Sequence, residues 1–214
     1  MHLEVVQALR CPRPHEASWL VARTDRTEAR HIVFGVLGCP ECGAEYPVRE
    51  GTARLGGPVP ASPATDVGDE AALRVAALLG LTTPNGLVAL AGAWAAAAVE
   101  VAAMADGVHV LAVNAAGVAP PLGLGVSRLE SAGVIPLGAG VARGIAVDAA
   151  HASPAALQSA VEALSPGGRL LAPAACTVPD ALAELARDAR WWVAEKAPAA
   201  PAVQLAGPRG PARR

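Results

Sequence analysis

Three of the four cysteines of this 214-residue chain fall within its first 42 residues, and their spacing is that of metal ligands. Cys39-Pro-Glu-Cys42 is a Cys-x-x-Cys knuckle, whose two thiolates can grip one tetrahedral zinc ion, and Gly43 lets the backbone turn closely around the sulfurs. Cys11 and His15, separated by Pro-Arg-Pro, supply the other half. Together Cys11, His15, Cys39 and Cys42 make a Cys3His set closed to substrate and therefore structural, worth on the order of 10 kcal/mol of folding free energy when zinc binds. The usual partner half is a second Cys-x-x-Cys, and His15 stands one position beyond it. The alternative is a fold that has lost its metal, with Cys11 and His15 as ordinary residues. His31 lies in a strand-like run and reads as a surface residue. A redox role for Cys39 and Cys42 would need a thioredoxin-like strand and helix after them, and none follows.

Other reactive side chains are isolated. Asp148 and His151 sit at the carboxyl end of an expected strand, where open α/β sheets place ligands. They read either as an acid–base pair or as a strand-end residue and a loop histidine, and the second reading is favoured. Cys176 follows an apolar strand and reads as buried and inert. Trp191 and Trp192 most simply place one ring in the core and one at its rim, with an interface role as the alternative. Arg209, Arg213 and Arg214 are too few to imply RNA binding.

The elements that must position these residues follow from composition. Apolar residues make up 53 % of the chain and aromatics 3 %, so the core is built from small aliphatic side chains. A formal net charge of −2 makes no demand for nucleic acid or an anionic membrane as partner. The first residues carry neither a basic nor an apolar signal region, which points to the cytoplasm. Residues 87–105 are nearly all apolar but broken by Gly92 and Glu100, and read as strand, turn and helix rather than a membrane span. Residues 1–55 form one unit, with strand-like runs at 18–24 and 31–37; residues 56–67 are a Pro/Gly linker; 68–206 form a second unit; 207–214 are a disordered tail. In the second unit strands are expected at 86–91, 108–113, 125–129, 144–147 and 169–172. Helices are expected at 69–79, 94–105, 153–164 and 179–190, a turn at 165–168, and a final antiparallel pair at 191–194 and 202–205. This alternation predicts an α/β fold, a doubly wound and mostly parallel sheet with helices on both faces.

Two resemblances follow. The runs Leu3-Glu-Val-Val-Gln-Ala-Leu-Arg-Cys11-Pro, Leu37-Gly-Cys39-Pro-Glu-Cys42-Gly and Tyr46-Pro-Val-Arg-Glu-Gly51 resemble the small zinc-ribbon family that includes the activator subunit of tRNA and rRNA methyltransferases. The match covers residues 3–55, and it implies a module that docks onto a methyltransferase domain and does no chemistry itself. The second unit resembles a class I S-adenosylmethionine-dependent methyltransferase, a Rossmann-like fold with an antiparallel last strand. The run from Val134 to Asp148 looks like that family's loop into its fourth strand, and Ser165-Pro-Gly-Gly-Arg169 like the turn before its fifth.

The expected cofactor loop departs from that family. Ala89 stands where an acid would be, and Ala91, Ala93 and Ala95 stand where glycines would be, leaving only Gly92 without a Cβ. Trp94 adds bulk, Asn114 replaces the acid that holds the ribose hydroxyls, and Arg143 replaces an Asp. The resulting expectation is a pseudoenzyme: a non-catalytic zinc-binding protein with a degenerate methyltransferase-like domain. It would act through a protein partner or self-association as scaffold, stabiliser or activator, without binding S-adenosylmethionine. The alternative is an active methyltransferase with an atypical loop, whose site would be lined by Gly92, Asn114 and Asp148. An open pocket at the carboxyl edge of the sheet favours the enzyme; a pocket filled by Trp94 excludes it.

Overall fold

In a computed structural model, residues 1–57, 59, 70–115 and 125–198 are described. The chain opens on a single helical turn, α1 (Leu3–Val6), and two antiparallel hairpins follow. Strands β1 (Val21–Glu28) and β2 (His31–Gly38) are joined by Ala29 and Arg30, both with positive φ, the conformation that a two-residue hairpin turn demands. Strands β3 (Glu45–Arg49) and β4 (Thr52–Arg54) turn in the same way at Glu50 and Gly51. The closing Tyr46–Gly51 run is therefore one strand and its turn.

The rest alternates strand and helix: α2 (Ala71–Leu78), β5 (Gly86–Ala91), a 3₁₀ turn over Gly92–Ala97, α3 (Ala98–Met104), β6 (Val108–Val113), β7 (Val126–Glu130), β8 (Ala142–Ala146), a 3₁₀ turn at Ala149–His151, α4 (Pro154–Ala163), β9 (Leu164–Pro173), β10 (Leu182–Arg187) and β11 (Trp191–Lys196). All eleven strands share one sheet in the order β1-β2-β3-β4-β7-β6-β5-β8-β9-β11-β10. From β4 to β9 neighbours run parallel, and β11 enters antiparallel between β9 and β10. Counted from β5, the order is the doubly wound 3-2-1-4-5 with a reversed pair added. The order reverses between β5 and β8, the switch point at which such sheets bind ligands.

Strand alternation divides the core in two. Leu87, Ala89, Leu111, Val113, Ile145 and Leu170 point to a face covered by α4 and by Met1, Val5, Val6 and Leu9 of the first segment. Val88, Leu90, Val110, Ala112 and Leu171 point to the other face, covered by α2, α3 and Trp94. Ser153 caps α4 by accepting the Ala156 N–H at 3.2 Å, with Pro154 at the first helical position, where its missing N–H costs nothing.

Several expectations need correction. Residues 179–190 are largely β10, not a helix: the helix-forming Leu-Ala-Glu-Leu-Ala-Arg run pairs with β11, and the tertiary contact overrides local preference. Residues 202–205 lie outside the described residues, as does the tail at 207–214; the partners of 191–194 are β9 and β10. Residues 165–168 bulge out within β9, since Ala142 pairs with Leu164 and Gly144 already with Arg169. Trp191 and Trp192 are both buried, one in each core, because consecutive strand residues face opposite ways. His31 is buried at 2 % exposure, not a surface residue. Among the described residues no helix is long and apolar enough to cross a membrane.

Candidate functional site

The four ligand candidates of the first segment converge. The ligand atoms of Cys11, His15, Cys39 and Cys42 lie within 4.8 Å of one another. Cys11 Sγ is 3.8 Å from Cys42 Sγ, and Cys39 Sγ is 3.6 Å from His15 Nε2. A tetrahedral zinc with ordinary bond lengths would set its sulfurs about 3.8 Å apart and a sulfur and a nitrogen about 3.5 Å apart. The knuckle is shaped by Gly43, at φ +66°, whose N–H donates to the Cys39 carbonyl while the Cys39 N–H donates to the Ala44 carbonyl. His15 Nδ1 hydrogen-bonds the Glu16 carbonyl, which assigns the proton to Nδ1 and turns Nε2 toward the sulfurs, the usual support of a metal-binding histidine. The Tyr46 hydroxyl lies 3.2 Å from Cys11 Sγ. Burial pushes the Cys39 thiol up, but hydrogen bonds from the Cys42 backbone, the Ser18 side chain and the Glu41 backbone outweigh it and bring its pKa to about 6. The thiolate is the form that binds metal. The donor set thus fits zinc; His31 lies outside it.

At the switch point the carboxyl ends of β5 and β8 are tied together by Asp148. Its Oδ2 accepts the Ala93 N–H at 2.8 Å; its Oδ1 accepts the His151 N–H at 3.1 Å and lies 2.6 Å from His151 Nδ1. Both side chains are nearly inaccessible, at 1 % and 4 %. Asp148 and His151 are therefore a buried pair and not merely a strand end and a loop residue. Gly92 lies beneath them at φ +63°, and a Cβ there would come within 2.2 Å of Asp148 Oδ2 and 2.5 Å of His151 Nδ1. Gly92→Ala is expected to destabilise the fold by about 1–3 kcal/mol through backbone strain and displacement of the pair, read as a lowered urea midpoint.

Asn114, at the end of β6, also has a left-handed backbone, at φ 52°. Its Nδ2 donates to the Ser131 carbonyl and its Oδ1 accepts the Ser131 N–H, both at 2.8 Å. Asn114 thus fastens the end of β6 to the segment after β7. Beside it opens a slot of about 100 Å³, walled by Val113, Asn114, Ser131, Val134, Ile135 and His151. Trp94 does not enter it: fully buried, it packs edge-to-face on Trp191, centroids 5.0 Å apart, in the opposite core. Arg143 is at the far end of the sheet, holding the Thr83 and Asn85 carbonyls at 2.7 and 2.6 Å. Cys176 is half-buried and its thiol is pushed up by burial, in keeping with an inert side chain. Ser131 and the residues after it were absent from the sequence-based site, although the loop into the fourth strand, from Val134, was the signal that marked this region.

No protein-family model matches the chain, and no curated protein does. Solved structures do. The antibiotic-resistance methyltransferase Kmr aligns with 60 % of this chain and 93 % of its own, at 14 % identity and TM-score 0.40. Phosphoethanolamine N-methyltransferase 2 of Haemonchus contortus aligns with 53 % of this chain and 30 % of its own, at 16 % identity and TM-score 0.39, in complexes with S-adenosyl-L-methionine and with S-adenosylhomocysteine. The likeness is one of fold. These neighbours are methyltransferases and not scaffolds, and the Haemonchus enzyme takes S-adenosylmethionine. The readings of a non-catalytic interaction protein, and of a chain that does not take this cofactor, are corrected to this extent: these neighbours stand against them and give them no support.

Proposed function

We propose that the chain is an S-adenosylmethionine-dependent methyltransferase with an atypical cofactor loop, joined to an N-terminal zinc ribbon that holds its metal through Cys11, His15, Cys39 and Cys42. One observation carries the catalytic part: the slot at the carboxyl edge of the parallel strands is open, with Trp94 packed on the other face of the sheet. Mostly apolar walls and a volume near 100 Å³ suit the flat end of a nucleoside and no more, so the remainder of the cofactor would lie outside the slot.

When bound, S-adenosylmethionine supplies an electrophilic methyl group. The chain's own residues bind and position. Val113, Val134 and Ile135 line the slot and would exclude water from the base. Asn114 spends its carboxamide on Ser131, so it sets the width of the slot instead of reaching for ribose hydroxyls. Asp148 holds the loop at Gly92 and Ala93 against His151, a positioning role. Isothermal titration with S-adenosylmethionine and S-adenosylhomocysteine is expected to give one site of micromolar affinity. Ala150→Trp, which fills the slot from its rim, is expected to abolish that heat. A chain with intact near-UV ellipticity that takes up neither compound would refute the reading.

A further inference from the structure

A second group of ligating side chains stands where the first segment meets the sheet. His2 precedes α1, Glu4 lies within it, and His109 projects from β6. One ligand atom from each falls within 4.8 Å of the others. Glu4 Oε2 is 2.9 Å from His109 Nε2, and the His2 and His109 rings lie 4.5 Å apart at 31°. The Glu4 N–H donates to His2 Nδ1 at 3.3 Å, and Arg30 holds the other Glu4 oxygen at 2.9 Å, leaving Oε2 directed at His109. Behind His2 stands His31, edge-to-face at 4.9 Å. His31 is 2 % exposed and its Nε2 has no hydrogen-bond partner; His109 Nδ1, also buried, has none either. Four ionisable side chains have thus gathered where the first segment meets the sheet. A cleft of about 360 Å³, bounded by Asn85, Gly107 and Val141, opens onto Glu4 and His109.

We infer that His2, Glu4 and His109 form a second metal site, for a divalent ion of borderline softness such as zinc or cobalt. Two imidazoles and one carboxylate are a donor set of such ions, and three protein ligands leave a coordination position open, here toward the cleft. Binding replaces the proton shared between His109 Nε2 and Glu4 Oε2 with the ion, and His2 gives up the long 3.3 Å contact from the Glu4 N–H to free a ring lone pair for it. Ligand atoms around a tetrahedral ion of this size stand about 3.3 Å apart, so the pair at 2.9 Å needs to part by only a few tenths of an ångström. The site is distinct from the cysteine cluster in chemistry, having no sulfur.

Cobalt(II) added to the protein as purified, with its zinc in place, tests this. One equivalent is expected to bind and give visible d–d absorption without the near-ultraviolet thiolate charge-transfer band. His109→Ala and Glu4→Gln are each expected to weaken that binding at least about ten-fold; Glu4 is exposed, so the second variant keeps the fold. Absence of cobalt uptake, a thiolate charge-transfer band as the only signal, or undiminished affinity in both variants would overturn the assignment.

Discussion

Removing the proposed zinc from the cysteine cluster is expected to unfold the first hairpins. A structural zinc contributes on the order of 10 kcal/mol, while a whole domain is stable by about 5–15 kcal/mol. The segment's own apolar contribution is modest in size: β1 is mostly exposed, and Ile32, Val33, Leu37, Tyr46, Val48 and Ala53 are the buried apolar side chains of β2 to β4. The effect does not stop there. Val5, Val6 and Leu9 cover one face of the parallel strands, and β4 covers the edge of β7. Both covers loosen together. Hydrogen exchange after chelation, or in Cys39→Ser, is expected to show collapsed protection in β2 and β3, a smaller loss in β7, and persistence in β9 and β11. Unchanged protection in protein shown by mass spectrometry to hold no zinc would exclude a structural metal.

Asp148→Ala is expected to cost at least about 1–3 kcal/mol, the usual penalty for leaving a buried donor unsatisfied. Among the described residues the Ala93 N–H, the His151 N–H and the His151 ring donate to this carboxylate, and alanine satisfies none of them. Asp148→Asn keeps one acceptor oxygen and the side-chain shape, and is expected to recover part of the loss. Urea midpoints of the two variants give the comparison. Because Asp148 spans β5 and β8, the alanine variant is also expected to lose the cofactor heat before it loses its fold. Equal midpoints for the wild type and Asp148→Ala would show that the pair contributes nothing net.

Much of the parallel sheet was legible because the strands that became β5, β6, β8 and β9 are short apolar runs bounded by Gly, Asp or Pro, and such runs have few other uses. The convergence of Cys11, His15, Cys39 and Cys42 was legible for a different reason: spacing along the chain encodes the knuckle directly, and the hairpin needed only to bring its two ends together. What could not be read is what depends on contacts between distant segments. Residues 182–187 favour a helix in isolation and become a strand because β11 offers an edge. Trp94 reads as an obstruction at the cofactor loop, but its 3₁₀ turn carries it to Trp191 in the other core. Asn114 reads as a weakened ribose acceptor, and only the fold reveals that Ser131 already occupies both ends of its carboxamide. His2, Glu4 and His109 share no spacing at all; 105 positions separate the last two, and α1 meets β6 only in the folded chain.

The edge-to-edge part of the joint between the two halves of the sheet is three residue pairs of parallel strand, Thr52 with Arg128, Ala53 with Leu129 and Arg54 with Glu130, beside an exposed Arg54–Glu130 ion pair at 3.0 Å. As an encounter between separate molecules, so short a ladder would dissociate on dilution. Here both strands belong to one polypeptide, and a short connection holds each at an effective concentration in the millimolar range relative to the other. Association is then independent of how much protein is present, and the strand pairing needs only enough specificity to select its register. A cell making this chain has no stoichiometry to balance between the two modules.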